Sequence, residues 1–288
     1  KQKWLELHGL EHWTHFYTDY GRLLQKRFFD YFLKGIDNGW ADEPQVRLQI
    51  RRLDGFVERV ESEWPIARTQ WAKLYLNLAN RTLARTPVVA ESRMEFDATG
   101  DGVTFLSPPL EEETEITGPS AAKLFISSST TDADIFIVLR VFSPDGKEIV
   151  FQGAIDPHTP ISQGWLRASH RKLDPHLSNP YWPYHTHDEK LPLRPGEVVE
   201  LDIEIWPTSI VVPAGYCIGF TVRGKDYEYE GPSGGRLTNF KNELKGCGPF
   251  LHDDPRDRPS HTFGGKTTLY VGADRASYLL LPVVLAEA

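Results

Sequence analysis

Apolar and polar residues change rhythm along the chain near residue 44. Before it, Leu24, Phe28, Tyr31 and Phe32 recur at helical spacing within residues 20–35, which predicts a helix with one apolar face. Gly35 directly after Lys34 is the chemistry of a helix end, and Asp37-Asn38-Gly39 reads as a turn. After residue 44 the period becomes two. Val46, Leu48 and Ile50 alternate with Arg47, Gln49 and Arg51, and Lys73-Leu74-Tyr75-Leu76-Asn77-Leu78 alternates in the same way. Further strands are expected at 122–128, 135–142, 198–205, 216–222, 267–271 and 278–283. The turn clusters Ser143-Pro144-Asp145-Gly146, Arg194-Pro195-Gly196 and Val212-Pro213-Ala214-Gly215 punctuate them. The pattern predicts a mainly β fold, a jelly-roll β-sandwich over residues 44–288, after a short helical segment, 1–43. Residues 156–195 and 224–265, rich in Pro, Gly, His and Asp, are expected to be ordered loops of the kind that carry function. There is no internal repeat.

Composition narrows the classes. At 288 residues the chain can bury a sizeable core as one large domain or two small ones. A net charge of -8, without acidic runs, argues against a nucleic-acid partner, which demands a basic stripe. No apolar run is long enough to span a bilayer, so no membrane partner is expected. The start shows no signal-peptide pattern. Cys217 and Cys247 are too few for a disulfide framework and are expected to be reduced, in keeping with a cytoplasmic setting. Lys1 runs straight into Trp4-Leu5-Glu6-Leu7, which reads as the end of a strand, so the protein is expected to continue upstream.

Several segments could carry chemistry. Gly231-Pro232-Ser233-Gly234-Gly235 matches the G-x-S-x-G nucleophile string. That motif needs a strand before it and a helix after it, and Pro232 and the Gly234-Gly235 pair oppose both, so a loop is expected. His185-Thr186-His187 would point two imidazoles to one face if extended, but Glu189 follows too closely for a jelly-roll metal site and none is expected. In His252-Asp253-Asp254-Pro255-Arg256-Asp257-Arg258 the arginines neutralise the acids more readily than a cation would. Asp132 and Asp134 suit turn or bulge duty. Arg167, His170 and Arg171 suit an interface, and Trp165, Tyr181, Trp182 and Tyr184 suit packing.

The order of these features resembles the cocaine-esterase / X-prolyl dipeptidyl-peptidase family of serine hydrolases over essentially the whole chain. The resemblance rests on Lys3-Trp4-Leu5-Glu6-Leu7-His8-Gly9-Leu10-Glu11-His12, on Phe28-Phe29-Asp30-Tyr31-Phe32-Leu33-Lys34-Gly35, and on Glu63-Trp64-Pro65 followed by Leu74-Tyr75-Leu76. It continues through Ser107-Pro108-Pro109-Leu110, Ile116-Thr117-Gly118-Pro119, Asp132-Ala133-Asp134-Ile135 and Leu193-Arg194-Pro195-Gly196-Glu197-Val198. Its most distinctive segment is Gly164-Trp165-Leu166-Arg167-Ala168-Ser169-His170-Arg171. The series closes on Ser277-Tyr278-Leu279-Leu280-Leu281-Pro282-Val283.

The resemblance implies that residues 1–43 are the tail of an α/β-hydrolase catalytic domain and that 44–288 form its C-terminal jelly roll. It implies cleavage of esters or amides, small-molecule or peptide, by a Ser-His-Asp triad without a cofactor. Only the histidine would lie in this chain, so the fragment alone is expected to be inactive. His12, on a loop just past a strand, is the expected base, able to take a proton from serine and return it to the leaving group. Gly9-Leu10-Glu11 stands where many members carry Pro-Trp, which keeps His8 and His15 as rivals. Two other readings remain: a ligand- or carbohydrate-binding jelly roll without catalysis, and a metal-dependent jelly roll built on His185 and His187.

Overall fold

The chain enters through a short strand, β1 (Leu5–Leu7), and two helices, α1 (His12–Tyr17) and α2 (Asp19–Lys34). The computed structural model describes residues 2–285; Lys1 and residues 286–288, at the outer ends of the two expected segments, lie outside the described residues. The helix α2 falls where the helical spacing placed it. Thr18 caps its start, its hydroxyl accepting from the Gly21 N–H at 3.0 Å, and Gly35 ends it at φ 67°, a conformation that a residue without Cβ adopts without strain. The helix α1 is a departure, since the stretch after β1 reads as a loop and in fact turns helical at His12.

The remainder is mainly β: β2 (Val46–Arg52), β3 (Gly55–Glu61), β4 (Thr69–Asn77), β5 (Thr82–Ala84), β6 (Ser92–Asp97), β7 (Val103–Leu106) and β8 (Thr114–Ser128). Then come β9 (Asp134–Phe142), β10 (Glu148–Ile149), β11 (Ser162–Arg167), β12 (Val199–Val212), β13 (Cys217–Arg223), the one-turn helix α3 (Ser260–Phe263), β14 (Lys266–Val271) and β15 (Tyr278–Val284). Every strand expected from alternation overlaps one of these. The strand β11 is a correction, because it opens the segment 156–195 that reads as loop. Its inward positions are Ser162, Gly164 and Leu166, too small and polar to show a period of two. Gly164 is required there, since a Cβ would come within 2.0 Å of the Glu204 carbonyl oxygen.

The long strand β8 pairs antiparallel with β12 on one edge and with β15 and then β14 on the other. A second group centres on β9, flanked by β13 and β11. Leu124 and Ile126 of β8, Leu201 and Ile203 of β12, Ile135, Ile137 and Leu139 of β9, and Phe220 and Val222 of β13 share one buried core. Each large apolar side chain so buried contributes roughly 1.5–3 kcal/mol.

A smaller core joins Val46, Leu48 and Ile50 of β2 to Ile66, Val211 and Val284, with Leu5 and Leu7 packed against it. β1 runs parallel to β2, Leu5 opposite Val46, so the N-terminal segment hydrogen-bonds directly to the β region. The apolar face of α2 rests on two tryptophans, with Phe28 5.2 Å from Trp40 and Phe32 5.8 Å from Trp4 between ring centroids. Leu23, Phe29 and Leu33 of α2 stay exposed. No helix among the described residues is long and apolar enough to cross a membrane.

Candidate functional site: the histidine cluster after the first strand

Extended backbone puts Glu6 and His8 on one side of the chain, and α1 returns His15 to the same place. His8 and His15 stack with centroids 3.8 Å apart and planes 13° from parallel. His15 Nε2 is hydrogen-bonded to Glu6 Oε1 at 3.0 Å, and the Tyr20 hydroxyl donates to Glu6 Oε2 at 3.2 Å. Burial, with Glu6 beside it, pushes the Tyr20 phenol up to about 12, so it stays a donor. Burial and the neighbouring His15 hold His8 below its ordinary range, against a weaker pull from the Leu10 backbone and Glu6, so its ring is neutral near pH 7. His8 Nδ1 is buried without a well-formed hydrogen bond among the described residues.

His12 is the first residue of α1 and is exposed, its ring in edge contact with Trp13 at 4.6 Å. The expected base and its two rivals therefore occupy one short segment in three settings: His12 open, His15 tied to a carboxylate, His8 half-buried between them and β1. Glu6 and Tyr20 went unnoticed in the sequence, although the Glu6-x-His8 spacing on a strand was a usable signal.

The other candidates gather at the far end of the β region. Asp134, at the start of β9, accepts from Arg167 Nε and Nη2 at 2.8 and 3.0 Å and from Arg258 Nε at 2.9 Å. Asp132 Oδ1 accepts the Ala133 and Ser169 N–H groups, each at 2.9 Å. Arg171 donates to the Ala168 carbonyl at 3.1 Å. These contacts join neighbouring segments of the β region, and Asp134 serves as an ion-pair partner rather than in the turn or bulge expected of it. In the 252–258 segment Arg256 holds Asp254, whereas Arg258 leaves the segment for Asp134 and Asp257 turns to Arg167. His252 is hydrogen-bonded through Nδ1 to the buried Asp226 at 2.9 Å, a pair the sequence did not suggest. Phe136, Trp165, Arg167, His170, His187 and His252 line a cavity of about 350 Å³.

His185 and His187 are not on a strand. His187 has φ 52°, its Nδ1 lies 3.0 Å from Nδ1 of His170, and its ring lies 6.0 Å from that of His185. Among the described residues no group of three or more His, Cys, Asp or Glu is placed to hold a metal ion. Gly231–Gly235 has no strand before it and no helix after it, and Ser233 Oγ accepts the Gly235 N–H at 2.9 Å, an ordinary loop contact. Tyr181 stacks on Trp71 at 4.2 Å, Trp165 meets Trp206 edge-on at 5.0 Å, and Trp182 and Tyr184 are exposed.

The chain is 25% identical over 281 residues to the cocaine esterase of Rhodococcus, covering 83% of this chain and 44% of that protein. It is 27% identical over 247 residues to a Mycobacterium bovis protein provisionally named a serine esterase, covering 72% of this chain and 36% of the relative. Among solved structures, a CocE/NonD family hydrolase from Staphylococcus aureus superimposes with a TM-score of 0.82 at 26% identity, over 98% of this chain and 49% of that one. An α-amino acid ester hydrolase shares the fold, with a TM-score of 0.57 at 17% identity. The chain thus spans less than half the length of each of these relatives. Residues 38–280 match the model of one family, and the chain accordingly belongs to the X-Pro dipeptidyl-peptidase C-terminal non-catalytic domain family.

Proposed function

We propose that this chain works as the C-terminal portion of a serine hydrolase that cleaves esters or amides, of the acyl-esterase or X-Pro dipeptidyl-peptidase type. In this reading residues 1–43 complete an α/β catalytic domain and 44–288 buttress it. The triad's serine and acid come from the region N-terminal to the chain, and the base comes from the histidine cluster. The serine attacks the substrate carbonyl, the imidazole takes its proton and delivers it to the leaving group, and the acid orients the ring. The apolar side chains exposed on the two first helices, Trp13, Phe16, Tyr17, Leu23, Phe29 and Leu33, suit a cover by that catalytic domain. Two free thiols suit a cytoplasmic setting.

The observation that carries the reading is the grouping of His8, His12 and His15 directly beyond β1. Sequence spacing assigns the base to His12, whose exposed ring can face a bound substrate. A second reading assigns it to His8, favoured by one observation: its buried Nδ1 is the atom that a triad's acid would hold, and its ring is neutral, as a base must be. Single replacements His8→Ala, His12→Ala and His15→Ala in the protein expressed with its upstream region, assayed on a p-nitrophenyl ester, separate them. The base should cost about 10³–10⁴-fold in kcat and the other two less than about 10-fold. The 288-residue chain alone should be inactive. If no histidine variant lowers the rate, or if the chain alone hydrolyses the ester and Ser233→Ala abolishes it, the proposal is wrong.

A further inference from the structure

The alternation along β2 buries Val46, Leu48 and Ile50 and leaves Arg47, Gln49 and Arg51 on the opposite face. That face is not given over to water. Arg47 pairs with Glu43 and Glu58, and Arg51 lies over the Phe151 ring at 4.7 Å. Gln49, between them, reaches back across the β1–β2 junction, and its Oε1 accepts the backbone N–H of Gly9 at 2.8 Å. Gly9 is the residue after His8. The neighbouring strand closes the same point, for Phe56 of β3 sits against Gly9 so closely that a Cβ there would come within 2.4–2.7 Å of three atoms of the ring. Gly9 is therefore held by a side-chain amide and an aromatic ring, both from the same face of one hairpin, and the hairpin is anchored through Leu48 and Ile50 in the smaller core.

From this geometry we infer that Gln49 and Phe56 are positioning residues: the first hairpin of the β region clamps Gly9 and thereby sets where the imidazole of the histidine cluster stands. The inference rests on the hydrolase reading for its functional meaning, but the clamp itself is a property of this chain. A general base must be held within a few tenths of an ångström of its proton donor, and a misplacement of about 1 Å costs on the order of 10²-fold. A side-chain acceptor on a backbone N–H beside the base supplies that restraint. The role is distinct from holding the fold together, because Gln49 is only half-buried and Phe56 is 47% exposed.

Two measurements test it. In the 288-residue chain, amide hydrogen exchange at Gly9 should speed up in Gln49→Leu, which removes the acceptor, and stay near the parent rate in Gln49→Glu, which keeps an oxygen there. Phe56→Ala should speed it as well, with circular dichroism and melting unchanged in all three. In the protein carrying its upstream region, Gln49→Leu should lower kcat about 10–100-fold with KM within about twofold, and Gln49→Glu should restore kcat to within about threefold. Unaltered Gly9 exchange in both Gln49→Leu and Phe56→Ala overturns the clamp. Faster exchange with unaltered kcat overturns the positioning role. Hydrolysis indifferent to His8, His12 and His15 alike sinks the hydrolase reading and the positioning role with it, and the Gly9 exchange rates then still decide the clamp.

Discussion

Removal of the Asp134 carboxylate should weaken the β region more than any surface change nearby. Asp134 accepts three arginine N–H bonds, two from Arg167 and one from Arg258, and its side chain and that of Arg258 are only 10% and 9% exposed. In Asp134→Ala, Arg167 keeps Asp257 at 3.0 Å and so retains a partner. Arg258 loses its carboxylate and keeps the carbonyls of His252 and Gly224, each at 2.7 Å, and the face of the Phe136 ring at 5.0 Å. Breaking a buried pair by deleting one partner costs about 3–5 kcal/mol, and the two remaining carbonyls place the value near the lower end, about 3 kcal/mol. The corresponding loss of Tm is about 5 °C. Urea unfolding followed by tryptophan fluorescence measures it, as a fall in midpoint at constant slope. Replacing Arg258 by Met in the same chain should return part of the loss, because the stranded charge is then gone. A cost below about 1 kcal/mol for Asp134→Ala, or a double variant as weak as the sum of the two single ones, would refute the idea that the carboxylate's main task is to neutralise a buried guanidinium. The outcome bears on the site wall, since Arg167 and Arg258 fasten the segments around the Trp165 and His252 cavity to β9.

Two further outcomes follow from titrating groups. Burial pushes the Cys247 thiol up to about 12 while its Sγ–H donates to Gln163 Oε1 at 3.0 Å, so at pH 8 it should present about a thousandfold less thiolate than an ordinary cysteine and react far more slowly than Cys217 with a disulfide reagent. Equal rates in single-cysteine variants would contradict this. Hydrogen bonding to Asp226 raises His252 above its ordinary 6.5, so the stability it adds is fully present below about pH 6.5 and fades as pH rises through the raised value. The same pair lowers Asp226, whose share is lost in acid. Melting curves of the parent and Asp226→Asn should therefore differ most near pH 5–6 and by less toward pH 9, where only the share of Asp226 remains; a gap that widens with pH would reverse the assignment.

How far the chain could be read from its letters depended on where burial was one-sided. β2 and the first half of β12 show a clean period because one face is buried and the other is not, β9 and β13 are buried on both faces and read as apolar runs, and Lys34-Gly35 marked a helix end by local chemistry alone. β11 gave no such signal: its inward positions carry Ser162 and Gly164, chosen by the closeness of the neighbouring backbone rather than by hydrophobicity. The histidine cluster was visible as a group, because the three residues lie within one short segment. Its internal order was not. Stacking of His8 on His15, the tie of His15 to Glu6 and the grip of Gln49 and Phe56 on Gly9 depend on a helical turn and on partners some forty residues away. The same holds for Asp134, whose arginines come from the end of β11 and from the loop before α3. Alternation and end chemistry are local properties, so the sequence by itself determined α2 and most of the longer strands, while α1, β3, β6, β11 and the short strands β5, β7 and β10 emerged only in the fold. Which polar side chains meet is decided by the packing of their faces, and that information exists only once the strands have found one another.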